Sequence, residues 1–319
     1  MHFPAWLKFA LKFLLSAVLI GVLLRTVDLA AMGRHLADVS LGPIVLVLLI
    51  FAVLVVSNAV RWAVVMKAID ATLPFAKVLE ILYIGTFFNQ TLPSAVGGDA
   101  VRMYLARKAG LSILGAVNGV MLERAVALIG LIVLVVAVQP LLLARIGDNP
   151  AKWFFPVLAG LSVVGLIFLM LLDRLPEGFR KWRLVRGVAH LAQDTRRLFL
   201  NPVRAVQAVA LGVVGNVLIS LIVYLLARDL NIPVSVVDCL VLVPPVVLIT
   251  TIPVSIAGWG VREGAMVGAF AFVGVGNESA LVLSLLFGVV IAVVSLPGGL
   301  VWLASGYSRK DVERETSAR

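Results

Sequence analysis

Apolar runs of bilayer-crossing length recur along the whole chain, and this feature limits the fold more than any other. A helix crosses the hydrocarbon core with about 17–25 predominantly apolar residues. Six stretches approach or meet that length: Phe9 to Leu24, Gly42 to Met66, Ser112 to Val138, Trp153 to Leu172, Val203 to Ala227 and Glu278 to Ser305. Each is apolar on every side, as a lipid-facing helix is. Lys8 and Lys12 followed by Phe13 to Leu24 have the look of a secretion signal, but Arg25-Thr-Val-Asp28 offers no small-residue cleavage site. The run is therefore read as a first membrane helix. With 61% hydrophobic and 14% charged residues in 319, little sequence remains for a separate soluble catalytic domain.

Two further apolar stretches, Ala76 to Gly110 and Ser235 to Val275, are interrupted near their middles by polar residues, Pro and Gly. A lipid-exposed helix could not tolerate this, because the freed backbone groups would go unpaired. Both are read as broken hairpins. Their interruptions match: Thr91-Leu-Pro-Ser-Ala-Val-Gly-Gly-Asp-Ala-Val-Arg102 aligns without a gap on Thr251-Ile-Pro-Val-Ser-Ile-Ala-Gly-Trp-Gly-Val-Arg262, about half the chain away. Pro and Arg are scarce in membrane helices, so the match points to an internal duplication. Each half then reads helix, helix, broken hairpin, helix. If each hairpin enters and leaves by one face, a half crosses three times and the second half is inverted. If the hairpins span, the repeat is parallel. The expected fold is an all-α polytopic membrane protein of two inverted repeats, with six spanning helices and two re-entrant hairpins. Residues 1–307 form one transmembrane domain, with repeats at about 9–138 and 153–305, and 308–319 are expected to be a disordered cytoplasmic tail.

A net charge of +10 would suggest nucleic acid in a soluble protein. Here it first reports cytoplasmic loops, and the implied partner is anionic inner-leaflet headgroups, with no nucleic acid. A cytoplasmic N-terminus places most of the 27 Lys and Arg inside, including Arg61, Lys67, Lys77, Arg102, Arg107, Lys108, the connector 174–204 and the tail. Arg25, Arg34, Arg145, Lys152 and Arg228 fall outside. Both termini are thus expected in the cytoplasm. The connector Asp173 to Asn201 mixes arginines with Phe179, Trp182, Leu184 and Val188, and reads either as an amphipathic helix on the inner leaflet or as a solvated loop. A single cysteine, Cys239, excludes an internal disulfide, and His2, His35 and His190 lack ligand spacing, so no metal or cofactor is expected.

Six ionisable residues fall in or beside the apolar segments: Asp99, Arg102, Glu123, Arg124, Arg262 and Glu263. Intramembrane charges persist when they are paired or used. The plain alternative is that they are ion pairs fastening helices together. Placement favours use, because Arg102 follows Gly97-Gly98 and Arg262 follows Gly258-Trp-Gly260, each opening the second limb of a hairpin. A helix N-terminus exposes unpaired N–H groups, glycine allows close approach, and a guanidinium matches phosphate oxygens. Arg102 and Arg262 are therefore expected to hold a lipid phosphate, with Asp99 and Glu263 as their partners in the empty protein. Glu123 and Arg124, about 100° apart on one helix, are expected to reach different hairpins. Asn89, Gln90, Thr91 and Ser94 could line a polar path, or pair backbone freed by Pro93; tandem Pro244-Pro245 is expected to break or kink the second hairpin's first limb. No catalytic constellation is present: there is no nucleophile elbow, phosphate loop or metal pair.

The blocks Phe88-Asn-Gln-Thr-Leu-Pro-Ser-Ala-Val-Gly-Gly-Asp-Ala-Val-Arg102, Glu123-Arg124 and Ile252-Pro-Val-Ser-Ile-Ala-Gly-Trp-Gly-Val-Arg-Glu-Gly264 resemble the signatures of the lysylphosphatidylglycerol synthase transmembrane region, a flippase-like membrane family. The resemblance covers nearly the whole chain. In the best-known members a cytoplasmic domain aminoacylates phosphatidylglycerol and the membrane region moves the product outward; other members are associated with hopanoid or polyprenyl-linked glycan pathways. Since the sequence ends at Arg319, the resemblance implies a non-enzymatic lipid translocator of the bacterial inner membrane. Its implied partners are a phospholipid, polyprenyl or hopanoid-type lipid, and enzymes of lipid biosynthesis. A secondary transporter of a small anion and a non-transporting scaffold for lipid or glycan biosynthesis remain the alternatives.

Overall fold

A computed structural model describes residues 41–92, 97–146, 183–250 and 258–305, together with positions 160, 164, 165, 167 and 170. The described residues form nine helices and no strand: α1 Leu41–Ala68, α2 Phe75–Thr91, α3 Gly97–Lys108, α4 Ile113–Ile146, α5 Arg183–Phe199, α6 Pro202–Asp229, α7 Val236–Thr250, α8 Val261–Ala271 and α9 Asn277–Ala304. Four of them, α1, α4, α6 and α9, are long and apolar enough to cross a membrane. The expected spans at Phe9 to Leu24 and Trp153 to Leu172, and the tail, lie outside the described residues. Both broken stretches are helix pairs, α2–α3 and α7–α8, as their interrupted patterns require.

The two halves share local rules beyond the twelve-residue motif. α1 and α6 are each 28 residues long. Both end in a left-handed residue, Asp70 at φ 57° and Asn231 at φ 55°. Beyond each, an N–H reaches back five residues to pair a terminal carbonyl: Ala71 to Met66 at 3.0 Å and Ile232 to Ala227 at 2.9 Å. This is the Schellman solution to the orphan carbonyls of a helix end. It recurs after α3 and α8, with Gly110 at φ 108° and Gly274 at φ 77°, closed by Leu111 to Ala106 and Val275 to Phe270 at 3.2 Å each. Packing repeats as well. α1 lies along α6, and the first limb of each hairpin rests on the last long helix of the other half, α2 on α9 and α7 on α4.

The ends of the bundle can be assigned from contacts. Arg204 Nη1, in the first turn of α6, donates to the Lys67 carbonyl in the last turn of α1 at 2.9 Å. Asn118 Nδ2, near the start of α4, donates to Asp194 on α5 at 2.6 Å. A Cβ on Gly115 would lie 3.1 Å from Ala71 Cβ. The start of α2 and the end of α3 therefore lie at one end, beside α5, so the first hairpin enters and leaves together. The second hairpin begins after α6 has run its 28 residues, about 42 Å, to the opposite end.

Two expectations are corrected. Within the connector, Arg183–Phe199 forms α5, but Ala192, Thr195 and Leu198 on its inner face are fully buried against the bundle, so that face packs on protein instead of lipid; Phe179 and Trp182 lie outside the described residues. α7 runs through Pro244 and Pro245 without a break; Val243, Pro244 and Val246 are buried, and packing against α4 and α6 outweighs the two missing N–H donors.

Candidate functional site

The first hairpin is closed by glycine. A Cβ on Gly98 would collide with the Gly85 carbonyl oxygen, and one on Gly85 would lie 2.5 Å from Arg102 Cγ. The two limbs thus touch backbone to backbone, and Asn89 Oδ1 accepts from the Gly98 N–H at 3.1 Å. Gly97 faces the Leu92 side chain, 2.7 Å from a Cβ built there. At this tip the glycines admit α2, and one helix-terminal N–H is already paired.

Behind the tip, three arginines share two carboxylates. Glu123 Oε1 accepts from Arg61 Nη2 at 2.5 Å and Nε at 3.1 Å, while its Oε2 accepts from Arg102 Nη1 at 3.0 Å. Asp99 Oδ1 and Oδ2 accept from Arg124 Nη2 and Nε at 2.8 Å each, and Arg102 Nη1 lies 3.3 Å from Asp99 Oδ1. Arg102 Nε and Nη2 have no hydrogen-bond partner among the described residues; the guanidinium stacks on Trp62 at 4.3 Å from the ring centroid. The group sums to one positive charge and ties α1, α3 and α4 together. Two readings of the sequence change here. Glu123 and Arg124 both reach the first hairpin, and Arg61 is buried at 6% exposure instead of lying in a cytoplasmic loop. Its position within the apolar run Gly42 to Met66 was the available signal.

The second tip is built differently. Gly258 and Gly260 have φ of 80° and 85°, which other residues rarely adopt. Glu263 accepts the Gly260 N–H, capping α8, and also pairs with the adjacent Arg262 through Nη2 at 2.6 Å and Nε at 3.1 Å. Ser284 Oγ lies 3.4 Å from both partners, and Trp259 lies 4.6 Å from the guanidinium. A Cβ on Gly288 would collide with Arg262 Nη2, so Gly288 is a site residue that no charge or motif signalled. This pair is neutral.

A cavity of about 580 Å³ lies between the halves. Asn58, Arg61, Asn89, Gln90, Asp99 and Arg124 line it from the first half, and Asn216, Thr250 and Gly258 from the second. A cavity of about 190 Å³ adjoins it through Gln90, Ile219, Val247, Thr250 and Gly258, and carries Arg262 on its wall. Residues of both hairpins therefore face one connected space. The guanidinium facing this space from the first half is Arg124, whose side chain is 47% exposed, with Arg61 beside it. Arg102 stands behind Asp99 and Glu123. Pro93 lies outside the described residues, as do Ser94 and Pro253.

The profile of the lysylphosphatidylglycerol synthase transmembrane region matches residues 9–298. The chain belongs to that family. UPF0104 membrane protein PH1989 of Pyrococcus horikoshii is similar, with 29% identity over 104 residues, 32% of this chain and 31% of the relative. The match thus spans less than a third of that relative's length. Together with four apolar spans of 27 to 29 residues, family membership makes this a membrane protein. The lysylphosphatidylglycerol synthase profile extends over both hairpins, α4 and the cavity between them.

Proposed function

We propose that this protein moves an anionic or phosphate-bearing lipid between the leaflets of a bacterial inner membrane. The headgroup lodges between the two hairpin tips while the acyl chains stay in the bilayer, and no covalent step is performed on the lipid. One observation carries the reading: guanidinium groups from both halves, Arg61 and Arg124 on one side and Arg262 on the other, line adjoining cavities inside an apolar bundle. The first-half cluster retains one positive charge, which a phosphodiester would neutralise. Arg124 is bidentate to Asp99, and a phosphate could replace that carboxylate fork for fork. The opposed entry of the two hairpins supports an inverted repeat, in which alternating access rocks one half against the other around a central site. Both termini are then cytoplasmic. Leu128, exposed at 39%, lines the same cavity as Arg124 and supports a side opening towards lipid.

The test is a leaflet-resolved assay in reconstituted vesicles, using headgroup-labelled phosphatidylglycerol and phosphatidylcholine. Phosphatidylglycerol should exchange faster with protein than without. Arg124→Gln and Arg262→Gln should each slow it at least about tenfold, the loss of one charge-assisted bidentate contact. Unchanged exchange in both variants contradicts the proposal. Uptake of glycerol phosphate without lipid movement would replace the lipid by a soluble anion.

A further inference from the structure

A second basic cavity, of about 330 Å³, lies on the α1–α6 seam at the α5 end of the bundle, lined by Val64, Lys67, Asn201, Val203, Arg204 and Gln207. It shares no residue with the central cavities. We propose that it is a resident site for an anionic glycerophospholipid, held by its phosphate and separate from the translocation path.

Three observations carry this assignment. First, the cations are unspent, and one of them is fixed. Arg204 is anchored through Nη1 to the Lys67 carbonyl at 2.9 Å, and its own N–H is taken by Asn201 Oδ1 at 3.1 Å. Neither Lys67 nor Arg204 has a carboxylate within 4 Å among the described residues; Asp70, the nearest acid in sequence to Lys67, faces Arg197 at 3.8 Å. Second, the depth suits a headgroup. Lys67 is in the last turn of one spanning helix and Arg204 in the first turn of another, so both stand at the boundary between hydrocarbon and water. Third, the surface below the cavity suits an acyl chain. Val203, Val206, Ala210 and Val214 follow one face of α6, all exposed, the valines at 62%, 68% and 45%. A soluble phosphate would use the cations and leave that stripe unmatched, whereas a phospholipid covers both.

The experiment is native mass spectrometry of the full chain in detergent. The micelles are titrated with phosphatidylglycerol, with phosphatidylcholine of the same acyl chains, and with glycerol phosphate. The wild type should retain phosphatidylglycerol in preference to the other two. Lys67→Gln should weaken one phosphatidylglycerol site roughly fivefold, and Lys67→Gln/Arg204→Gln should weaken it by roughly fivefold again. Lys67 contributes only its backbone carbonyl to the bonds named above, so the single variant keeps the fold's contacts. Arg124→Gln/Arg262→Gln should leave this site intact, which separates it from the proposed transport site. Equal retention by wild type and the double variant at 67 and 204 overturns the assignment, as does equal binding of phosphatidylcholine. Binding of glycerol phosphate as tight as that of the lipid would also overturn it.

Discussion

The two hairpin tips carry the same motif and solve the burial of its arginine in opposite ways. In the first, Asp99 and Ala100 allow the helix to start at Gly97, so Arg102 sits a full turn inside α3 and depends on carboxylates from its own helix and from α4. In the second, Trp259 and Gly260 occupy the equivalent positions and the helix starts only at Val261, with Gly260 as its N-cap. Arg262 then falls in the first turn beside Glu263, which serves as both cap and counter-ion. The first tip is tied to α4 by ion pairs and to α1 by the Trp62 stack, and its cluster keeps one positive charge, while the second is neutral and contained in its own hairpin and α9. A matching motif thus yields one anchored tip and one self-sufficient tip. On the proposed mechanism the second is the better candidate to move.

Breaking the anchor should cost most. Glu123→Gln leaves Arg61 and Arg102 buried without their shared counter-ion and should destabilise the protein by about 3–5 kcal/mol. Glu263→Gln strands a single arginine that keeps Ser284 and Trp259, so thermal denaturation in one detergent should rank it as the milder change. Gly98→Ala forces a methyl group onto the Gly85 carbonyl and should cost about 1–3 kcal/mol by prising the limbs apart. By contrast Gly258→Ala meets nothing closer than 3.7 Å, and its loss, about 1–2 kcal/mol, comes from the left-handed backbone alone. An engineered D-alanine at 258 should recover it. Smallest is Tyr83→Phe, which removes the bond from the Tyr83 hydroxyl to the Val294 carbonyl at 2.9 Å; a loss of about 1 kcal/mol should appear as a slight shift in the same melting curve. If Glu123→Gln and Tyr83→Phe proved equally mild, the first tip would not be anchored by its charges.

Helix boundaries were legible because bilayer length and apolar composition act locally: Val203 to Ala227 became α6, Pro202–Asp229, and Glu278 to Ser305 became α9, Asn277–Ala304. Both hairpins were visible through Pro, Gly and polar residues that lipid would reject. Partnerships were less legible, because they depend on how helices rotate against one another. Adjacent charges at 123 and 124 could as well have served two hairpins as one, and the Arg61 charge looked like the edge of a loop until packing turned it inward. Gly288 carried no signal at all, since its role exists only once Arg262 crosses α9. The Asp70 and Asn231 turns after α1 and α6 match in backbone conformation although their residues differ, a likeness that residue identity does not carry.

The most direct test is a cryo-EM map of the protein in nanodiscs containing phosphatidylglycerol. A phosphate between the hairpin tips, within hydrogen-bonding distance of Arg124 or Arg262, with acyl density leaving past Leu128, is the predicted result. Headgroup density confined to the outer surface of the bundle, with the central cavity holding water alone, would contradict the account.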